Sequence, residues 1–108
     1  MPRIAQNKAG QYVSNLEPFE GHGSLKAVRD YEGAYVVYSY NTPILLVDDE
    51  VKRAYVNRAK YSVTTSKQQT YTFSGVPILA ARGYEIINTD GARELESPSG
   101  YGVAPYSR

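Results

Sequence analysis

The chain has 108 residues, 42% of them apolar and 21% charged, which fits one globular domain with one core. It carries no cysteine, so disulfides, thiolate nucleophiles and zinc–thiolate sites are excluded together. The net charge of +1 sets no global preference for a partner, and no apolar run approaches the roughly 18 residues of a membrane span.

Residues 1–33 read as an irregular arm. The segment mixes charge with Pro18 and several glycines and holds no sustained period. Leu16 and Phe19 can clip it to the body, and "SLKAVRDY" can form one or two helical turns behind Ser24 as N-cap. The start, "MPRIAQNKAG", lacks the apolar segment of a secretory signal.

The clearest element is "AYVVYSY", Ala34 to Tyr40, β-branched and aromatic throughout. Tyr35, Val37 and Ser39 alternate with Val36, Tyr38 and Tyr40, so a central strand covered on both sides is expected. In "NTP", Asn41 tolerates a left-handed backbone and Pro43 cannot donate to a ladder, which marks a turn, bulge or kink. Ile44 to Val47 continues as strand, "DDE" turns, and Val51 to Asn57 returns with enough Lys and Arg to suggest an edge.

"KYSVTTSKQQ" follows, crowded with hydroxyls. Thr65 with Gln68 three places on matches a capping box and predicts a helix from about 65. Pro77 can open a second helix, "PILAAR", closed by Gly83 in the left-handed position, and "YEIIN" is a last strand. From Ser97 the tail is rich in Pro, Gly and Ser.

The expected fold is therefore α+β: a small twisted antiparallel sheet with one or two helices packed on one face. An irregular arm (1–33) precedes this domain (34–96), and a flexible tail (97–108) follows it. Val36, Val37, Ile44, Leu46, Val56, Val63, Ile78 and Leu79 are expected in the core.

Chemistry is poorly supplied. His22 in "GHGS" is the one histidine and reads as part of a turn, with no cysteine beside it to complete a transition-metal site. Asp48, Asp49 and Glu50 form an acidic hairpin tip, and no phosphate-binding glycine motif is present. No enzymatic activity, metal or cofactor is expected. Two features remain. Between Val51 and Tyr84 there are six Lys/Arg and no Asp or Glu, so Lys52, Arg53, Arg58, Lys60 and Lys67 are candidate phosphate contacts for nucleic acid. Eleven tyrosines exceed what one small core can hold with every hydroxyl satisfied, which nominates Tyr38, Tyr40, Tyr55 and Tyr61 as a protein-binding surface.

"EPFEGHGSLKAV", "YVVYSYNTPI" and "KYSVTTSKQQ" together resemble a family of small uncharacterised proteins encoded by actinobacterial phages and plasmids. The resemblance covers Glu17 to Gln69. Asn41 stands where the family commonly has Gly, and Gln68 where it commonly has His. The resemblance implies an accessory protein acting in the cytoplasm of a bacterial host. The leading expectation is a non-enzymatic protein that binds a host protein, or itself, through tyrosines. Nucleic-acid binding through the basic 52–67 segment is the alternative, a structural virion or oligomeric component the second, and no membrane partner is expected.

Overall fold

The computed structural model describes residues 1–21, 23–30, 32–92 and 95. Its order is β1 (Arg3–Ile4), a 3-10 turn (Gln6–Lys8), α1 (Ala9–Ser14), β2 (Phe19–Gly21), β3 (Leu25–Arg29), β4 (Tyr35–Ser39) and β5 (Thr42–Asp48). β6 (Arg53–Asn57), α2 (Val63–Phe73), α3 (Val76–Ala81) and β7 (Glu85–Thr89) follow. Among the described residues this is an α+β fold with seven strands lying in sequence order, β1 to β7.

β2 to β6 form an antiparallel meander, while β1 and β7 add in parallel at the two ends. Each parallel addition needs a crossover, and α1 and the α2–α3 pair supply them. The sheet is thus mixed. β6, expected at an edge, is covered by β7, so its polar character reflects its ends: Ala54 to Asn57 are buried and Arg53 is exposed.

Alternation along β4 builds two cores. Tyr35 and Val37 point to the helices, joining Phe19, Leu25, Leu45, Val47, Val56, Val13 and Leu79 in the main core. Val36 points the other way, with Ala34, Leu46, Tyr55 and Leu95, and Tyr38 and Ile87 pack against that smaller cluster. Both sides of β4 are covered, as its sequence requires. The irregularity expected near Pro43 is a bulge: the register shifts between Val37 and Tyr38, and Ile44 and Leu45 both enter the helix-side core.

Residues 1–33, expected to be irregular, carry β1, α1, β2 and β3. "SLKAVRDY" is strand rather than helix, because Leu25 to Arg29 pairs along its length with Ser39 to Tyr35 and Leu25 and Ala27 alternate into the core. Long-range pairing outweighs a local helix preference that one Ser cap supports. Leu16 and Phe19 do tie this region into the core.

α2 begins one turn earlier than expected. Ser62 is the N-cap and its Oγ accepts the Thr65 N–H at 3.2 Å, so Thr65 lies inside the helix. That phase turns Thr65, Gln68, Gln69 and Thr72 inward and leaves Val63 86% exposed. Ile78, also expected in the core, is 49% exposed because the short α3 buries Val76 and Leu79, three residues apart. Gly83 follows α3 at φ 96° in its expected left-handed position. The tail, 97–108, lies outside the described residues.

Candidate interaction site at one end of the sheet

The β4–β5 hairpin closes between Ser39 and Thr42. The left-handed residue in this turn is Tyr40, at φ 58°, and not Asn41, where it was expected. A two-residue loop with positive φ at its first central position favours Gly there. The Tyr40 N–H donates to Ser24 O at 3.0 Å, which fixes the turn against the β2–β3 turn. Its side chain stays out, 54% exposed.

Other groups converge on the same end. Tyr38 is half-buried opposite Pro43, with Lys26 Nζ 5.8 Å from its ring centroid. Burial, followed by the nearby Asp30 carboxylate, pushes the Tyr38 phenol above its ordinary value and keeps it a neutral donor. Asn57, fully buried at the end of β6, donates through Nδ2 to Pro43 O at 3.1 Å and to the Tyr61 hydroxyl at 2.9 Å. That bond seats Tyr61 beside the strand ends with its side chain 41% exposed. Next to Tyr40 lies a groove of about 330 Å³ lined by Glu20, Gly23, Ser24, Leu25, Lys26 and Asn41.

Three of the four expected tyrosines therefore gather at one end of the sheet. Tyr55 does not: it is buried in the smaller core against Leu46 and Leu95. Lys26, Asn57 and the Ser24 turn escaped sequence reasoning, since two of them sit in segments that looked irregular and Asn57 acts only through its bridge.

The basic residues are dispersed. Lys52 and Arg53 sit at the start of β6, and Arg58 and Lys60 follow its end, roughly 15 Å of strand away. Lys52 Nζ lies 4.7 Å from the Tyr84 ring centroid, and Arg53 pairs with Glu85 at 3.3 Å. Arg58 covers the Phe73 ring and donates to Asn88 Oδ1 at 2.9 Å. Lys60 and Lys67 are exposed, Lys67 on α2.

The hydroxyl-rich run before and within α2 has structural work. Ser62 caps the helix, while Ser39 Oγ donates to Gln68 Oε1 and lies 3.0 Å from Thr65 Oγ1, all inside the protein. Gln69 Nε2 donates to Asn57 O and Ala59 O, tying α2 to the strand before it. The acidic tip is likewise held: Arg29 makes a two-pronged pair with Asp49, at 2.8 and 3.1 Å, and the pair raises the Arg29 pKa. His22 lies outside the described residues. Among the described residues, no group of three or more acidic or metal-binding side chains is placed to hold a metal ion, and no helix is long and apolar enough to cross a membrane.

A family model described as a family of unknown function (DUF8033) matches residues 7–74, from the 3-10 turn to the end of α2. The chain belongs to that family. The matched span contains every residue of the tyrosine end and leaves α3 and β7 outside. No curated protein and no solved structure matches the chain.

Proposed function

We propose that this DUF8033 protein is a non-enzymatic interaction domain, an accessory protein of a phage or plasmid that binds a protein of its bacterial host. The binding surface is the sheet end that carries Tyr38, Tyr40 and Tyr61. The carrying observation is Tyr40, a bulky residue held at φ 58° with its ring in solvent. Left-handed backbone costs a non-glycine residue about 1–2 kcal/mol; Leu16 and Lys52 share it, and of these three only Tyr40 combines it with an exposed aromatic ring. A ring presented beside a groove, with neighbouring phenols as hydrogen-bonding handles, suits the buried centre of a protein interface. Tyr38 is fixed by packing and Tyr61 by the Asn57 bond, so little side-chain entropy is lost on docking.

Capture from a bacterial lysate on the immobilised protein tests this reading, with half of the lysate treated with nuclease. A partner retained in both halves by the wild type, and lost by Tyr40→Ala and Tyr61→Ala at unchanged urea midpoints, is the expected result. Retention that disappears with nuclease would replace this reading with nucleic-acid binding.

A further inference from the structure

The two edges of the sheet differ. β1 is two residues long, short enough to offer little to an incoming strand. β7 runs five residues, Glu85 to Thr89, and among the described residues no strand lies against its outer side. Its one charged residue is Glu85 at its start, and it has no proline, lysine or bulge along its length.

Its hydrogen-bond phase is fixed. The Glu85 N–H donates to Lys52 O at 2.8 Å and Thr89 O accepts the Arg58 N–H at 2.7 Å. In a parallel ladder alternate residues bond to the same neighbour, so Glu85, Ile87 and Thr89 face β6. The backbone groups of Ile86 and Asn88 face outward.

We propose that β7 pairs antiparallel with β7 of a second copy of this chain, across a two-fold axis at Ile87. In that register Ile86 of each copy lies opposite Asn88 of the other, giving two hydrogen bonds per pair and four in all. Ile87 meets its own copy in the closer, non-bonded position. Glu85 lies opposite Thr89, so no like charges face each other. Beyond the strand, Asp90 of one copy lies opposite Tyr84 of the other, on the same side of the sheet. Lys52 Nζ already sits over that ring. The register therefore brings an acid to a base twice, by symmetry. A two-fold contact of this kind closes on itself, whereas joining β1 to β7 would build an open polymer. β7, Tyr84 and Asp90 lie outside the family-matched residues and Lys52 within them, and the pairing does not rest on the tyrosine reading.

Sedimentation velocity over a concentration series tests the pairing on the full chain. The wild type is expected at twice the 12.0 kDa of one chain. Asn88→Pro removes an N–H that only the second copy uses, and proline is tolerated at such edge positions; it is expected to be monomeric. Asn88→Ala loses the Arg58 contact but keeps the N–H, and stays dimeric. Lys52→Glu shifts the equilibrium towards monomer, and adding Asp90→Lys restores the dimer, a pair that decides the matter even where the proline variant unfolds. A monomeric wild type, a folded dimeric Asn88→Pro, a charge swap without rescue, or species larger than a dimer would overturn the proposal.

Discussion

Tyr35 and Tyr40 belong to one strand and its turn, yet the fold uses them in opposite ways. Tyr35 is fully buried, and its hydroxyl donates to Glu17 O at 2.9 Å, joining β4 to the segment after α1. Burial is the main cause pushing its phenol far above the ordinary value of about 10. A phenol whose folded pKa is raised stabilises the fold fully below the unfolded value. That contribution is lost as pH rises from about 10 towards the folded value, because the unfolded chain gives up the proton first. Tyr35→Phe should cost about 1 kcal/mol at neutral pH through the lost hydrogen bond. Its stability in urea should then fall less steeply above pH ~10 than the wild type's; an equal slope in the two proteins would show that another group controls the alkaline limb. Tyr40 carries strain instead. Tyr40→Gly should raise the unfolding free energy by up to about 1 kcal/mol, the relief of left-handed strain less the added freedom of the unfolded chain. Composition showed the excess of tyrosine, but only pairing and burial separate Tyr35 and Tyr55 from the exposed rings.

At the scale of elements, the closest approach is between α1 and the corner joining α2 to α3. A Cβ built on Gly75 would stand 2.5 Å from the Gly10 carbonyl oxygen and 3.0 Å from Val13 Cγ1. The first neighbour is backbone, so a helix would have to move. Gly75→Ala is expected to cost roughly 1–3 kcal/mol by overpacking, and a urea midpoint equal to the wild type's would mean that α1 is not clamped there. β4, β5 and β6 were legible because β-branched and aromatic alternation ran between strong turn signals. β1, β2 and β3 were not, since each is short and draws its definition from the strand beside it. The phase of α2 was ambiguous for a chemical reason. Ser62 and Thr65 both suit an N-cap, and the choice falls to Ser62 because Thr65 and Gln68 are needed beneath the helix beside Ser39. The bulge at Ile44, by contrast, was visible in Pro43.

For the whole molecule, one sheet carries two unequal faces: a helix-covered core and a smaller cluster closed by Leu95. The tyrosine end stands at one margin of this sheet and the open β7 edge at another, so a partner and a second copy can be engaged by separate surfaces. The candidate site was half legible. The abundance and position of tyrosine point to Tyr38, Tyr40 and Tyr61, whereas the groove beside Tyr40 depends on the Ser24 turn, which has meaning only once β2 pairs with β3 and β3 with β4. The most direct measurement is lysate capture by Tyr40→Gly, compared with wild type at equal loading alongside both urea midpoints. Loss of the captured partner in a protein at least as stable as the wild type is the predicted result. Undiminished capture by that variant would show that the strained tyrosine serves no interface, and would contradict the account.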